Sequence, residues 1–189
     1  EFSAAMSIKD IYNMRLRNYI LGKIESYQNK SPIIVSNYTI EHIMPQNPKL
    51  SSEWKDDLGE NWQEVQKKYL HTLGNLTLTA YNAEMSDRPF IEKLNMEGGF
   101  KESGLRINSF LIDKAKWNEQ LIQERAALLI ELCKQIWPYP ELPEAILTQY
   151  RPESKVSKIY TLNDYDFLNP FTEMLYEQLD KRIINISPD

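Results

Sequence analysis

Along the first part of the chain, hydrophobic side chains recur every three or four positions, as they do on one face of an α-helix. Between residues 7 and 28 the recurring positions are Ile8, Ile11, Tyr12, Leu16, Tyr19, Ile20 and Ile24. This spacing predicts one helix over the whole stretch, although Gly22 weakens it. A connector that contains Pro32 is expected over residues 29–37.

Two short runs have the composition of β-strands. Residues 38–44 are expected to form the first strand, which the prolines at positions 45 and 48 end. Residues 76–80, rich in leucine and threonine, are expected to form the second. Residues 49–70 lie between them as an insertion, with a short helix over residues 60–69. Asn82 then lies near the start of a short helix or turn.

The strongest helical pattern covers residues 116–137, and prolines at positions 138, 140 and 143 end it. Shorter helices are expected over residues 88–95 and 104–113, and an amphipathic helix over about residues 170–184. The pattern as a whole predicts a mainly helical α+β fold built around one small hairpin.

The 189 residues are enough for one ordinary domain with a small additional piece, and 42% hydrophobic residues allow a real core. The net charge of −5 is unfavourable for a DNA-binding protein, because phosphate contacts favour a basic surface. Local basic side chains, or another domain, could still supply affinity for DNA. The single cysteine, Cys133, excludes an intramolecular disulfide and is expected in the core.

The expected location is the cytoplasm. No hydrophobic run reaches the roughly 18 residues of a membrane span, and no secretory signal is visible. The expected division of the chain is a cloning remnant (1–6), a main domain (7–140), a linker (141–158) and the start of a truncated appended domain (159–189).

Four polar residues around the hairpin have the chemistry of a one-metal nuclease. Glu41 and Asn82 offer the oxygen ligands that hard cations such as Mg²⁺ prefer. A neutral His42 can take a proton from water near pH 7. Asn75 could cross-link the strands or fix the loop that presents His42. This interpretation requires the side chains to share a pocket at the mouth of the hairpin. A buried imidazole, or one that points well away from the side-chain amides of Asn75 and Asn82, would count against it.

One geometric difficulty concerns the adjacent pair Glu41 and His42. Neighbouring residues on a regular strand point to opposite faces of the sheet. The pair is therefore expected at a strand end beside Pro45, or at a bulge that redirects one of the side chains.

These residues also lie in segments with a family resemblance. "EHIMPQN" followed by "LHTLGNLTLTAYN" resembles the HNH branch of the His-Me finger nucleases. More narrowly, "YLHTLGNLTLTAYNAEMSDRPFIEK", "GGFKESGLRINSFL" and "WNEQLIQERAALLIELCKQIWPYP" resemble the C-terminal domain of GmrSD-type restriction endonucleases, over roughly residues 7–140. Those enzymes are bacterial, modification-dependent and directed against phage.

The resemblance implies a ββα-metal hairpin core surrounded by helices, and cleavage of DNA with one divalent ion, Mg²⁺ or Mn²⁺ in its place. By position it assigns His42 as the general base, Glu41 and Asn82 as metal ligands, and Asn75 as the middle asparagine of the catalytic motif. Lys93 matches a lysine that follows the family's phenylalanine.

Three residues are candidate substrate contacts, namely Lys93, His71 and Arg88. His71 could equally pack against the hairpin, and a solvated surface position is the simplest interpretation of the two cations. The chain departs from the family at Ser86-Asp87, where Ser-Asn is frequent, which adds a negative charge near the predicted site. The ParB-like NTP-hydrolysing domain that accompanies this nuclease in longer relatives is not in this sequence.

Two other functions remain open from the sequence. The chain could be a non-catalytic module with a degenerate HNH hairpin that binds nucleic acid or a protein partner, which its acidic charge weakly favours. It could also be an RNase on the same scaffold.

Overall fold

The computed structural model describes residues 1–30, 34–139, 141–150 and 169–186. It divides into two compact units, Glu1–Pro140 and Glu141–Asp189. The helices of the first unit are α1 (Phe2–Ile8), α2 (Arg17–Ser26), α3 (Ser52–Leu58), α4 (Trp62–Tyr69), α5 (Asn82–Met85), α6 (Phe90–Asn95) and α7 (Glu119–Ile136), and its strands are β1 (Thr39–His42) and β2 (Leu76–Thr79). This mainly helical architecture with a small sheet confirms the predicted α+β class.

The two strands pair in antiparallel orientation with one residue opposite one residue throughout. The register places Thr39 opposite Thr79 and His42 opposite Leu76. The predicted strands are therefore present but short, and α5 follows β2 almost at once. This order of strand, strand and short helix brings residue 82 back to the hairpin.

The single helix predicted over residues 7–28 is wrong, because the chain turns between α1 and α2. The amides of Ile11 and Tyr12 both point to the carbonyl of His71, at 2.9 and 3.3 Å. These long-range hydrogen bonds hold the backbone out of a helix, although Ile11 itself is buried as the pattern predicted. Helical spacing was present, but tertiary contacts decided the backbone conformation.

Two hydrophobic clusters form the core of the first unit. One contains the aromatic side chains of the insertion and of the segment after β2, including Trp54, Phe90 and Trp117. The other contains leucines of the hairpin and of α2 and α7, including Leu21, Leu76 and Leu129. Helix α7 contributes to both clusters, so it supports the hairpin along its length.

Several helices differ in detail from those predicted. Residues 106–111 form a 3₁₀-helix within the predicted helix 104–113, and α3 in the insertion was not predicted. Its first turn begins at Ser51, whose hydroxyl accepts a hydrogen bond from the amide of Trp54 at 3.4 Å. Helix α1 begins at Phe2, within the predicted cloning remnant, and Met6 packs on the second cluster.

The second unit contains α8 (Glu144–Tyr150) and α9 (Pro170–Ile186). Helix α8 lies within the stretch predicted as a linker, and α9 matches the predicted amphipathic helix. The predicted start of the appended domain lies partly outside the described residues. Among the described helices, none is both long enough and apolar enough to cross a membrane.

Candidate functional site

A pocket at the end of the hairpin brings together three of the predicted site residues. It is a cavity of about 180 Å³, and we call it the hairpin pocket; its lining residues are Tyr12, Ile40, Glu41, His42, Pro45, Gln46, Asn82, Ser86 and Asp87. Glu41 and His42 come from the end of β1, whereas Asn82 begins α5. Because the connection after β2 is short, the side-chain amide of Asn82 lies in the same pocket as Glu41 and His42.

Glu41 is held by a buried lysine. Its Oε1 lies 2.5 Å from Nζ of Lys93, which also donates to the carbonyls of His42 and Ile43, at 3.0 and 3.2 Å. The Lys93 side chain is 0% exposed and that of Glu41 is 6% exposed. Burial raises the pKa of Glu41, and Lys93 opposes this rise. Burial lowers the pKa of Lys93, and Glu41 opposes that. Each charge therefore compensates the other in a region of little water.

His42 is held by two aromatic rings. Its Nε2 lies 3.1 Å from Nδ1 of His71, and the ring of Tyr12 lies edge-on with a centroid distance of 4.5 Å. The residue lines the pocket but is only 4% exposed. Burial, followed by the charges of His71 and Lys93, lowers the pKa of His42 to about 3. The imidazole is therefore neutral at pH 7, which is the form that accepts a proton.

The adjacent side chains of Glu41 and His42 diverge without a bulge. Pairing is regular up to His42, where β1 ends. Glu41 reaches Lys93 of α6, and His42 reaches His71 before β2. Of the two arrangements that the sequence allowed, the structure has the strand end.

Asn75 lies beneath the site and is fully buried. Its Oδ1 accepts from the amide of Met44 at 2.8 Å and from Nε1 of Trp117 at 3.2 Å. Its Nδ2 donates to the carbonyls of Met44 and Leu70, at 3.1 and 3.0 Å. The amide group thus cross-links the turn after β1 to the loop before β2. This arrangement gives Asn75 a supporting position, with no surface for a substrate.

Asn82 is oriented by the first strand. Its Nδ2 donates to the carbonyl of Ile40 at 2.6 Å. Since the amide nitrogen faces the strand, Oδ1 of Asn82 is left without a hydrogen-bond partner in the described part of the chain. The same holds for Oε2 of Glu41 and for Nδ1 of His42, within residues that the structure describes. Each of the three residues therefore keeps one atom able to bind a ligand.

The predicted substrate contacts lie in different environments. Lys93 is buried against Glu41 and has no access to a phosphate. His71 contacts His42. Arg88 is exposed, donates to the carbonyl of Glu84 and pairs with Glu92 at 3.2 Å. Arg88 is not among the described residues that line the hairpin pocket.

Several lining residues, among them Tyr12 and Asp87, were not assigned a site role from the sequence. Tyr12 was placed on the hydrophobic face of the first helix, and only the tertiary fold brings its ring to His42. Asp87 was noted as an added charge, and its carboxylate accepts from Nδ2 of Asn47 at 2.7 Å. Its charge also raises the pKa of Glu41, although less than burial does.

The donor atoms of the pocket fit a hard cation that retains water. Glu41 and Asn82 offer a carboxylate and an amide oxygen, which are ligands that Mg²⁺ accepts together with several waters. Among the described residues, no cluster of three or more His, Cys, Asp or Glu side chains is placed to hold a metal.

The loop that contains Asn75 is fixed from behind by α7. Arg125 is fully buried and donates to the carbonyls of Gly74 and Leu76, both at 2.8 Å, and to that of Ile107 at 3.1 Å. Gly74 lies so close to α7 that an added Cβ would be 2.3 Å from the carbonyl oxygen of Ile122. The loop before β2 therefore has little freedom to move.

Comparison with known families gives a match over most of the chain. The model of the family described as GmrSD restriction endonucleases, C-terminal domain, matches residues 1–132. No curated protein matches the chain. No solved structure matches it either.

Proposed function

Because the chain belongs to the family of GmrSD restriction endonuclease C-terminal domains, we propose that it is an HNH-type endonuclease domain that hydrolyses DNA phosphodiester bonds with a divalent metal ion. The observation that supports this most directly is the hairpin pocket. It joins Glu41, His42 and Asn82, and each has one atom without a hydrogen-bond partner among the described residues.

We further propose that β1, β2 and α5 form the ββα-metal unit of the His-Me finger nucleases. The two strands pair with each other although the insertion with α3 and α4 separates them in the chain, and α5 begins three residues after β2. Asn82 stands at the first position of α5, where its side chain turns back to β1. The pocket between the strand end and the short helix is then the place for the scissile phosphate.

A metal ion fits the oxygen atoms of this pocket. We assign Oε2 of Glu41 and Oδ1 of Asn82 as its protein ligands, with water completing the coordination of Mg²⁺, or of Mn²⁺ in its place. When bound, the ion would supply positive charge to the phosphate and to the leaving oxygen. Lys93 holds Glu41 in place through Oε1 and leaves the second oxygen for this role.

His42 is the general base in this proposal. It would take a proton from the attacking water at Nδ1, since Nε2 is already engaged with His71. A pKa of about 3 makes the imidazole a weak base in the absence of substrate. A bound phosphate would raise that pKa, because a nearby negative charge stabilises the imidazolium. The buried position also keeps the base neutral until substrate enters.

The biological setting belongs to the same proposal. The family description supports a part in DNA restriction. We propose that the domain acts within a bacterial, modification-dependent enzyme that cuts phage DNA. Which modification is recognised would then depend on parts outside this pocket.

The test is cleavage of supercoiled and linear DNA by the purified chain with Mg²⁺ or Mn²⁺. His42→Ala is expected to slow cleavage by about 10²–10⁴-fold, the usual contribution of a general base. Asn82→Ala is expected to weaken the binding of Mn²⁺ and to slow the cleavage that Mn²⁺ supports, because it removes one of the two proposed protein ligands. Asn95→Ala is a matched control for Asn82→Ala, because Asn95 also donates from Nδ2 to a backbone carbonyl, at 2.8 Å, but lies exposed on α6.

One observation favours a non-catalytic nucleic-acid-binding module instead. His42 is only 4% exposed, which is little for a residue that must contact water. A degenerate module would bind DNA without cutting it, and its Mn²⁺ response would be the same in the parent and in Asn82→Ala. Assays with RNA in parallel separate DNase from RNase activity. Full cleavage activity in His42→Ala would overturn the assignment of the base.

A further inference from the structure

His42 is in contact with His71, the only other histidine of the sequence, and the proposed reaction gives His71 no role. Nε2 of His42 lies 3.1 Å from Nδ1 of His71. A neutral imidazole carries one proton, so in such a pair one ring must donate and the other must accept. The direction of this single hydrogen bond decides whether Nδ1 of His42 carries the ring proton or keeps a lone pair.

Only one direction is compatible with a base in the hairpin pocket. If Nδ1 of His71 donated, Nε2 of His42 would accept and Nδ1 of His42 would carry the proton. That nitrogen could then not take a proton from water. If Nε2–H of His42 donates, Nδ1 of His42 keeps its lone pair, and Nδ1 has no competing partner among the described residues.

We propose that His71 is the positioning residue of the proposed reaction: its Nδ1 accepts a hydrogen bond from Nε2–H of His42 and so fixes the tautomer and ring orientation of the base. The role of His71 in catalysis rests on the proposed function, but the direction of the hydrogen bond can be tested without a cleavage assay. Residues that orient a catalytic or metal-binding histidine through its second nitrogen are a common supporting device in enzymes.

The surroundings of His71 suit an acceptor that must stay in place. The ring of Tyr12 is stacked on it at an interplanar angle of 12° and a centroid distance of 5.2 Å. The carbonyl of His71 accepts from the amides of Ile11 and Tyr12. Arg17 in turn holds Tyr12, through a 2.7 Å hydrogen bond to its carbonyl and with the guanidinium 5.0 Å from the ring centroid.

This arrangement also explains why the chain is not helical between α1 and α2. The segment that breaks the predicted helix supplies the ring that packs on both histidines and the amides that hold His71. A continuous helix would use those amides internally. The non-helical segment between α1 and α2 therefore helps to hold both histidine rings in place.

Two variants separate the hydrogen bond from the packing. His71→Asn keeps a side-chain oxygen that can accept near the position of Nδ1, but it loses the ring that stacks on Tyr12. His71→Phe keeps the ring but has no acceptor. If His71 only packs, the Phe variant is the better substitute. If His71 orients His42, the Asn variant is the better substitute.

The direct measurement is the tautomer of His42, from two-bond ¹H–¹⁵N correlation spectra of the ¹⁵N-histidine-labelled chain at neutral pH. With only two histidines in the sequence, each variant leaves His42 as the single signal. We expect the Nε2–H form in the parent and in His71→Asn, and a mixture of tautomers in His71→Phe. An Nδ1–H form in the parent, or an unchanged tautomer in His71→Phe, would overturn the inference.

Cleavage kinetics supply the second readout. We expect His71→Phe to lower kcat by about 10–100-fold with an unchanged KM for DNA, as for other supporting partners of functional histidines. His71→Asn should recover most of kcat. A raised KM with unchanged kcat would instead make His71 a phosphate contact and contradict the inference. Thermal unfolding of each variant shows whether a loss comes from instability.

The two proposals can fail separately. If the parent cuts no nucleic acid but shows the expected tautomers, the proposed function is wrong and the hydrogen bond stands. If the parent cuts DNA but His71→Phe retains its kcat, the proposed function stands and the role of His71 is wrong.

Discussion

Nζ of Lys93 lies 2.5 Å from Oε1 of Glu41, and both side chains are buried. The two residues are 52 positions apart in the chain. Their ion pair joins α6 to the end of β1, next to the residue proposed as the base. A lysine that the sequence offered as a phosphate contact is thus engaged inside the protein, where it fixes one oxygen of Glu41.

We predict that Lys93→Met destabilises the fold by about 3–5 kcal/mol, because Glu41 would keep a buried charge without compensation. Unfolding in urea measures the change. Lys101→Met is the control, since Lys101 is exposed and donates to Asn95. The double variant Glu41→Gln/Lys93→Met should recover much of the loss. Equal stability of both single lysine variants would contradict the importance of the pair.

Asn75→Ala and Asn82→Ala should differ in what they lose. The first leaves the buried amide of Met44, the indole N–H of Trp117 and two carbonyls without their partner, at about 1–3 kcal/mol for each unsatisfied group. Asn75→Ala is therefore expected to lose stability and activity together. Asn82→Ala removes one hydrogen bond at a half-buried position and should lose activity with little change in melting temperature. Thermal unfolding and DNA cleavage assays, done on the same preparations, test this contrast.

Gly74→Ala is expected to destabilise the chain by about 1–3 kcal/mol, the usual cost of forcing an extra group into a packed region. The new Cβ would meet the backbone of Ile122, which cannot rotate away. Gly59→Ala separates the two kinds of strain, because its φ of +84° disfavours any side chain whereas an added Cβ there has no neighbour within 4 Å. An unchanged urea midpoint for Gly74→Ala would mean that α7 does not press on this loop.

Asp87→Asn should weaken the binding of Mn²⁺ by about threefold or more, because it removes a negative charge from the wall of the hairpin pocket. The variant also introduces the Ser-Asn pair that is frequent in this family. Isothermal titration with Mn²⁺ measures the change. Glu84→Gln is a matched control, since it removes an exposed carboxylate on α5 that is not among the described lining residues. Equal effects of the two substitutions would indicate a general charge effect.

Local sequence was sufficient for much of the fold around the pocket. The β-prone composition near residues 40 and 78 predicted both strands, and the long hydrophobic pattern predicted α7. Asn82 was correctly expected at the start of a short helix. Strands and helices depend largely on residues within a few positions of one another, and the pattern of hydrophobic and polar side chains is visible over that distance in the sequence.

The helix predicted over residues 7–28 shows where local hydrophobic spacing is not sufficient. Its hydrophobic spacing is genuine, yet the amides of Ile11 and Tyr12 bond to a carbonyl about 60 positions away. No local pattern encodes such a partner.

The sequence by itself determined the chemical groups available, the hairpin that displays Glu41 and His42, and the family to which the chain belongs. The tertiary structure decided how each group is used. Lys93 faces Glu41 instead of solvent, His71 faces His42, and Asn75 is enclosed. The physical reason is that burial and pairing depend on contacts across the whole chain, and these contacts determine which charges are compensated and which atoms stay free to bind.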